Sequence, residues 1–504
     1  MPARWRVLAL LALWPMAASA APTAVTESGV LTGAYADGLN IYEGVPYAAP
    51  PLGDLRWREP QPVRPWTGTR DATEFAPACM QKGVSMPGET PPTVSEDCLY
   101  LNIWAPAGKP TRQLPVLVWI HGGGYSNGSA STPLYRGDRL ARKGVVVVTL
   151  AYRLGPLGFL VHPQLTRESA HGASGNYGLQ DQIAALHWIQ RNIAAFGGDP
   201  AHITIAGQSA GSMAVSILMT TPLAKGLFQR AIGESGGVFE PFQIAPAYGL
   251  AGAEQQGEKY FGSLGMASVA QMRKLPAERL LEGSAGEIAH PVLDGYILPT
   301  SPYDAFAAGK QNDVPMLIGC NAEEARSLMS VDSVKAATFA ADIEHRFGPL
   351  PPAIIAAYPH TTDVQARQSR LDFERDLRFG WDMWAWARLQ AKTGHSAVYY
   401  YSFTQQPPGW GASHFAELWY VFDHLDLAPW KPSESDHHLA TAMSDYWVNF
   451  VKSGNPNGNG LPRWRPFVGD TGPAQNLGQT IASVSLADLE RLKVFDEVYS
   501  SLRH

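Results

Sequence analysis

Continuous apolar runs alternate with a helical pattern in this chain, and that alternation limits the folds open to it. Val116–Ile120 and Val145–Leu150 are rich in β-branched residues, as expected of strands that are buried on both faces of a sheet. Between Leu179 and Phe196, apolar residues recur every three or four positions, which predicts a helix with one buried face. Such strands and helices in alternation predict an α/β fold around a large, mostly parallel central sheet flanked by helices.

Three further regions depart from this pattern. Residues 24–75 are rich in turn-forming residues, which predicts a small N-terminal sheet or loop region. Two longer stretches, at about residues 240–300 and 330–390, carry Glu, Arg and Ala in helical patterns and lie between predicted strands. We therefore expect them to be helical cap insertions in one domain that extends over residues 21–504.

The N-terminus has the order of segments that is typical of an export signal. Arg4 and Arg6 precede a short apolar stretch, which ends in the small residues Ala18–Ala20. The apolar stretch is shorter than the roughly 20 residues that a membrane span needs. We expect cleavage after Ala20 and a soluble, periplasmic or secreted protein, with a retained N-terminal anchor as the alternative.

Charge and cysteine content exclude some classes of function. The 504 residues include 39 basic and 45 acidic ones. The basic residues form no cluster in the sequence, so nucleic-acid binding has little support. Cys79 and Cys98 flank a polar, Pro-rich segment, so a local disulfide is expected in an exported protein. Cys320 ends an apolar run and is interpreted as a small buried residue. The three cysteines have no zinc-type spacing, so no metal is expected.

The sharpest motif is Gly207–Gly211, with Ser209 at its centre. It follows the predicted strand Ile203–Ala206 and precedes the helical pattern of Ser212–Met219. In a strand–turn–helix elbow of this kind, the two glycines allow close approach of the backbone and the serine hydroxyl stands clear of the sheet. Ser209 is therefore the candidate nucleophile.

A run of glycines, His121–Tyr125, directly follows another predicted strand. Ester hydrolysis passes through a tetrahedral oxyanion, and each backbone N–H that binds it typically contributes about 3 kcal/mol to transition-state stabilisation. Glycines can present successive N–H groups without side-chain clashes. The site that binds the oxyanion is called the oxyanion hole. We assign it to the N–H groups of Gly123, Gly124 and Ala210.

A serine nucleophile needs a base, and in an elbow fold the chain order is Ser, acid, His. The histidine must therefore lie well downstream, and the candidates are His414, His424, His437, His438 and His504. Of these, His414 lies in a loop of small residues after the predicted strand Ala397–Ser402, where a sheet would present it. The pair His437 and His438 lies in a polar run that is typical of a solvated surface.

The acid must lie between Ser209 and His414. Glu323 and Glu324 follow the predicted strand Met316–Gly319, at the strand edge where α/β sheets form their sites. Both glutamates fit this position, and the residues alone leave the choice between them open.

These motifs together resemble the type-B carboxylesterase and cholinesterase-like family of α/β-hydrolases, including its bacterial para-nitrobenzyl-esterase-like members. The similarity covers nearly the whole chain after residue 20. Besides the serine elbow and the glycine run, it rests on Gly44–Ala48, Leu55–Trp57, Glu96–Asn102, Ser174–Gln182, Phe196–Pro200, Tyr446–Phe450 and Gly454–Pro456.

The resemblance implies an α/β-hydrolase fold and a serine carboxylesterase that hydrolyses a small-molecule ester through an acyl-enzyme intermediate. It implies that Glu324 is the acid, that His414 is the base and that Cys79 and Cys98 form the first disulfide of the family. It implies no metal or organic cofactor, and we expect a monomer.

Two departures from the family pattern narrow the range of possible substrates. Residues 80–97 contain no aromatic residue, and Gln208 replaces the acid that cholinesterases carry before the nucleophile. Both changes remove features that bind cations, so choline esters are poor candidates. The alternatives are a narrow-specificity esterase for a bulky natural or xenobiotic ester, and a non-catalytic, cholinesterase-like binding protein.

Overall fold

A computed structural model describes most of the chain after the predicted export signal. The signal, residues 1–20 with its expected cleavage site, and the candidate base His504 lie outside the described residues. The described residues are 21–84, 90–108, 112–283, 285–348 and 350–503.

The strands form one large sheet, a small N-terminal sheet and a short two-stranded pair. They are β1 (Thr23–Thr26), β2 (Gly29–Thr32), β3 (Ala34–Ala36), β4 (Leu39–Pro46), β5 (Thr69–Asp71), β6 (Ala78–Cys79), β7 (Val94–Ser95), β8 (Tyr100–Pro106), β9 (Leu114–Ile120), β10 (Val146–Leu150), β11 (Gly198–Gln208), β12 (Arg230–Glu234), β13 (Met316–Asn321), β14 (Val398–Phe403), β15 (Ala474–Leu477) and β16 (Ala482–Val484).

The α-helices lie between these strands and after them. They are α1 (Asp138–Arg142), α2 (Gly155–Phe159), α3 (Pro163–Glu168), α4 (Tyr177–Asn192), α5 (Ala210–Leu218), α6 (Leu250–Ser263), α7 (Val269–Met272), α8 (Pro302–Ala307), α9 (Phe339–Phe347), α10 (Pro352–Ala356), α11 (Asp363–Arg375), α12 (Trp381–Thr393), α13 (Leu418–Val421), α14 (Glu434–Ser453) and α15 (Leu489–Arg503). A π-helical turn, Asp376–Gly380, joins α11 to α12.

The large sheet has the strand order β16-β15-β14-β13-β12-β11-β9-β10-β8-β4-β3. Its strands from β15 to β10 pair in parallel, whereas β16 at one end and β8, β4 and β3 at the other pair antiparallel. The expected mostly parallel sheet is confirmed, with antiparallel strands added at both edges. The expected small N-terminal sheet is also present, as β1, β2 and β5.

Alternate residues of β9 enter different hydrophobic cores. Val116 and Val118 belong to the core on one face of the sheet, and Leu117 and Trp119 belong to the core on the other. All four side chains are at most 2% exposed. Because both faces are covered, every position of the strand is apolar, which is why its sequence reads as a continuous run.

The predicted helix over residues 179–196 ends earlier than its apolar pattern suggests. α4 stops at Asn192, and a 3₁₀ turn over Ile193–Phe196 continues the buried face. Gly197 then adopts a left-handed conformation with φ of 83°, which ends the turn because few other residues tolerate it. The second predicted helical region ends inside α12, whose Trp386 packs against Gly233 in β12.

A buried ion pair joins the segment after β10 to α4. The Arg153 guanidinium donates to both carboxylate oxygens of Asp181, at 2.8 and 2.7 Å, and the Arg153 backbone N–H donates to the same carboxylate. Their side chains are 4% and 0% exposed. The pair fixes the segment that follows β10 against the helix.

None of the helices in the described part of the chain has the length and apolar character for crossing a membrane.

We expect Asp181→Asn to lower the free energy of unfolding by about 3–5 kcal/mol, because it leaves the Arg153 charge buried without a counterion. Urea unfolding followed by circular dichroism measures this loss. The matched control is Glu27→Gln, which breaks an ion pair with Arg191 whose side chains are 40% and 54% exposed. The control should change stability by no more than about 1 kcal/mol, and equal losses in both variants would contradict the prediction.

Candidate active site

The predicted nucleophile lies on a sharp turn between β11 and α5. Ser209 has φ of 56° and ψ of −126°, and its backbone N–H donates to the Glu234 carbonyl at 2.8 Å. A Cβ on Gly211 would lie 2.0 Å from the Ile120 carbonyl oxygen, and one on Gly207 would lie 2.5 Å from the Gly211 carbonyl carbon. Only glycine therefore fits at these two positions of the predicted elbow.

His414 and Glu324 meet at the same edge of the sheet. His414 lies in the loop after β14, Glu324 lies just after β13, and both side chains are fully buried. The imidazole Nδ1 is 2.5 Å from Glu324 Oε2, and Glu324 Oε1 accepts a hydrogen bond from the Asn321 backbone N–H at 2.7 Å. Because Nδ1 faces the carboxylate, Nε2 is left for a reacting group.

The neighbouring candidates of the sequence have other contacts. Glu323 forms an ion pair with Arg326 and accepts a hydrogen bond from the Ala412 backbone N–H. His424 Nε2 lies 3.0 Å from the Arg136 carbonyl oxygen, and His437 and His438 are exposed. Of the two glutamates that the residues alone left open, Glu324 is the one whose side chain turns inward to His414.

Gln208 brings the histidine next to the serine elbow. Its Nε2 atom lies 3.3 Å from Nε2 and 3.4 Å from Nδ1 of His414. An atom at nearly equal distances from both ring nitrogens lies over the ring rather than on one directed hydrogen bond. Since Gln208 immediately precedes Ser209, this contact places the imidazole next to the residue before the serine.

Aromatic rings also hold the imidazole. The ring of Phe379 stacks on His414 with centroids 4.6 Å apart, and Phe415 packs on it at 4.3 Å. Phe379 belongs to the π-helical turn before α12. Sequence reasoning missed both this residue and the Gln208 contact. π-Helical turns are frequent at functional sites, but the local sequence carries no signal for one.

The glycine loop, residues 121–128, lies directly against the serine. A Cβ on Gly122 would approach Ser209 Cβ to 3.1 Å. Gly123 and Gly124 have φ of 106° and 59°, which favours glycine. Within the described residues, the backbone N–H groups of Gly123, Gly124 and Ala210 donate to no protein acceptor. The three predicted donors are therefore free to bind a ligand oxygen.

His121, at the start of the glycine loop, is a buried structural residue. Its ring stacks on Tyr152, whose hydroxyl donates to the His121 carbonyl at 2.8 Å. Its Nδ1 lies 2.8 Å from the Gly122 carbonyl oxygen. Burial lowers the pKa of His121 to about 4, so the ring is neutral at neutral pH.

Two further carboxyl groups are buried near the site. The Trp447 indole N–H donates to Glu234 at 2.7 Å, and the Asn321 side-chain amide donates to Glu417. Burial raises the pKa of Glu234 to about 8. Burial and then the charges of Glu234 and Glu324 raise the pKa of Glu417 well above its usual range. The raised pKa values favour the protonated, neutral form of both groups and so reduce the negative charge beside Glu324.

The expected disulfide is present, whereas Cys320, which the sequence predicts to be buried, is only partly buried. Cys79 and Cys98 form a disulfide with an S–S distance of 2.03 Å. Cys320 is a free thiol at the end of β13, and burial raises its pKa to about 12. A thiol with such a pKa stays protonated at neutral pH and is a poor nucleophile.

A cavity of about 760 Å³ lies beside the disulfide-bridged segment. Its lining includes Phe75, Leu134 and Trp419, and no charged residue of the described chain faces it. It contains none of the predicted site residues. It does reach Gly128, at the end of the glycine loop whose beginning contacts Ser209. The cavity is of the size at which proteins bind organic ligands.

The fold and the site define the class of the protein as an α/β-hydrolase. The class is recognised by the parallel sheet, the serine elbow, and a glutamate and a histidine that follow later strands of the sheet. The sequence profile of the carboxylesterase family matches residues 20–489 of the chain.

Similar proteins agree with this class. The chain is 39% identical over 461 residues to the fumonisin B1 esterase of Sphingopyxis macrogoltabida, covering 88% of this chain and 84% of that protein. It is 36% identical over 452 residues to the para-nitrobenzyl esterase of Bacillus subtilis (strain 168), covering 86% of this chain and 90% of that protein. A solved structure of a Geobacillus stearothermophilus carboxylesterase superposes with a TM-score of 0.82 at 32% identity, covering 94% of this chain and 99% of that one.

The chain belongs to the carboxylesterase family, as a type-B member, and is a carboxylic ester hydrolase.

We expect Gly211→Ala to lower ester hydrolysis by at least about ten-fold, because a Cβ 2.0 Å from the Ile120 carbonyl oxygen must displace the elbow. Steady-state kinetics and thermal melting measure the effect. In the control Gly262→Ala, on α6, the new Cβ meets no atom within 4 Å. It should keep full activity and gain up to about 1 kcal/mol from helix propensity. An active Gly211→Ala enzyme would show that the elbow tolerates a Cβ.

We expect stability to fall as the pH drops from about 6.5 to about 4, because unfolded His121 binds a proton in this range and the buried ring does not. The contribution of this residue is present above pH 6.5 and amounts to about 3 kcal/mol at most. Urea unfolding at several pH values compares wild type with His121→Gln, in which this part of the slope should be missing. Parallel stability curves for the two proteins would contradict the assignment.

Proposed function

We propose that this protein is a serine carboxylesterase in which Ser209 is the nucleophile, His414 the base and Glu324 the acid. The observation that carries the proposal is the 2.5 Å contact between His414 Nδ1 and Glu324 Oε2 at the sheet edge that holds Ser209. It is supported by the three free N–H groups of Gly123, Gly124 and Ala210, which could bind the oxyanion.

In the first half of the reaction, Ser209 Oγ attacks the carbonyl carbon of the ester while His414 Nε2 takes the hydroxyl proton. Glu324 holds the ring in the required tautomer and stabilises the imidazolium ion. The oxyanion that forms accepts hydrogen bonds from Gly123, Gly124 and Ala210. The tetrahedral intermediate then collapses, the C–O bond to the alcohol breaks, and His414 returns the proton to the leaving alkoxide.

In the second half, water replaces the alcohol. His414 takes a proton from the water, and the resulting hydroxide attacks the acyl carbon bonded to Ser209 Oγ. A second oxyanion occupies the same hole, the bond to Ser209 breaks, and the proton returns to the serine. The products are a carboxylic acid and an alcohol, and the enzyme is regenerated.

A second candidate is narrow specificity for a bulky ester. It is favoured by the cavity of about 760 Å³ that reaches Gly128 at the end of the glycine loop, and by a relative with 39% identity that is named as a fumonisin B1 esterase. The absence of charge in the described lining favours an apolar substrate group there. The rival proposal of a non-catalytic binding protein has less support, because all three reacting side chains are present.

We also propose that residues 1–20 form a cleaved export signal and that residues 21–504 act as one catalytic domain. The disulfide between Cys79 and Cys98 supports an oxidising compartment, since structural disulfides persist there. N-terminal sequencing of protein exported by its native host tests the cleavage site. A mature chain that still contains Arg4 and Arg6 would exclude it.

We expect wild type to hydrolyse p-nitrophenyl esters from acetate to decanoate, and Ser209→Ala to lose at least about 10³-fold in kcat. Glu324→Gln should lose activity while it keeps most of its substrate affinity, because it leaves the imidazole wrongly oriented. The release of p-nitrophenolate measures both. The control Ser435→Ala changes a serine on α14 that is exposed to solvent, and it should retain full activity.

Each alternative has its own outcome in the same assay. Rapid hydrolysis of fumonisin B1 with slow turnover of all simple esters would favour the narrow-specificity enzyme. A folded wild type that hydrolyses no ester would favour the binding protein. Activity that survives in Ser209→Ala would show that another residue is the nucleophile.

A further inference from the structure

A buried glutamine outside the reacting groups holds the end of the glycine loop. Gln81 lies two residues after the disulfide-bonded Cys79 and is 6% exposed. Its Oε1 accepts a hydrogen bond from the Gly128 N–H at 2.8 Å, and its Nε2 donates to the Gly128 carbonyl at 2.8 Å. Nε2 also donates to the Cys79 carbonyl at 3.0 Å. One carboxamide thus binds both polar backbone groups of a single glycine.

Gly128 is in turn packed on the beginning of the same loop. Its φ is 117°, and a Cβ there would lie 2.3 Å from His121 Nδ1 and 2.5 Å from the Gly122 carbonyl oxygen. Gly122 itself contacts Ser209. Displacement of Gly128 would therefore be transmitted through the backbone to the residues that carry the free N–H groups.

Two further contacts on this loop come from a different segment. The Tyr152 hydroxyl donates to the His121 carbonyl, and the Gly155 N–H donates to the Tyr125 carbonyl at 2.7 Å. Both partners follow β10. Gln81 instead belongs to the disulfide-bridged segment, so it holds the loop from the opposite end.

We propose that Gln81 is a positioning residue that sets the geometry of the oxyanion hole through Gly128. This inference rests on the proposed function of Gly123, Gly124 and Ala210. Two hydrogen bonds from one planar group fix both the position and the rotation of the Gly128 backbone. The role needs a donor and an acceptor on the same side chain, which glutamine supplies and glutamate or methionine does not.

The test compares wild type with Gln81→Met, which keeps the side-chain length and removes both hydrogen bonds. Active serines are counted with a fluorophosphonate, so that kcat refers only to folded enzyme. We expect kcat to fall about 10- to 100-fold while KM changes little, because a misplaced hole weakens binding of the transition state rather than of the substrate.

A transition-state analogue separates positioning from general destabilisation. A trifluoromethyl ketone forms a hemiketal oxyanion with the serine, so its affinity should fall by the same factor as kcat/KM. The affinity of the product alcohol, which makes no oxyanion, should stay unchanged. Gln81→Glu keeps the shape and the acceptor but loses the donor, and it should show the same pattern if Gln81→Met does not fold.

Gln311→Met is the matched control. Gln311 is 8% exposed, and its Nε2 donates to Gln390 and Thr393, which belong to α12. It should lose stability without a change in the ketone affinity. Unchanged kcat and ketone affinity in Gln81→Met would overturn the inference, and so would an equal loss of ketone and alcohol affinity. A wild type without Ser209-dependent activity would instead refute the proposed function.

Discussion

The close approach of Gly211 to the carbonyl end of β9 determines the arrangement of the rest of the site. Because a Cβ on Gly211 would lie 2.0 Å from the Ile120 oxygen, α5 can start only if its first turn carries no side chain at that point. β11 and β9 are neighbours in the sheet, so this contact brings the turn after one strand against the turn after the other. The serine and the glycine loop are adjacent for that reason. The strands β13 and β14 add the glutamate and the histidine at the same edge, because parallel strands end on the same side.

Electrostatics then separates groups of the same chemical type. Glu234, Glu324 and Glu417 are all completely buried near His414. Glu324 faces the imidazole, whereas Glu234 and Glu417 face an indole N–H and an amide and have raised pKa values. The raised pKa values of Glu234 and Glu417 favour their neutral forms, so Glu324 is the carboxyl group that faces the ring.

The sequence predicts the parts of this structure that depend on local patterns. Strands such as β9 and β10 are visible because burial on both faces makes every residue apolar, and the elbow is visible because steric crowding requires glycine at Gly207 and Gly211. The choice of Glu324 over Glu323 follows from no local pattern, since both residues end the same strand. The family resemblance implies Glu324, and in the structure Glu324 is the glutamate that turns inward to His414.

The contacts that sequence reasoning missed join residues far apart in the chain. Phe379 reaches His414 from a π-helical turn, and Gln81 reaches Gly128 from the disulfide-bridged segment. In the sequence Gln208 is only a departure from a family pattern, because its contact with the imidazole depends on how β11 and the loop after β14 meet. Such contacts arise from packing, and neither periodicity nor residue type identifies them.

The edges of the large sheet have a consequence for self-association. The outermost strands, β3 and β16, are each three residues long, although the sheet between them is wide. A second chain that paired with either outermost strand could form backbone hydrogen bonds along only three residues of it. Short edge strands are a common protection against aggregation through strand pairing. The protein can thus build a wide sheet of apolar strands and still offer another chain very little edge on which to add a strand of its own.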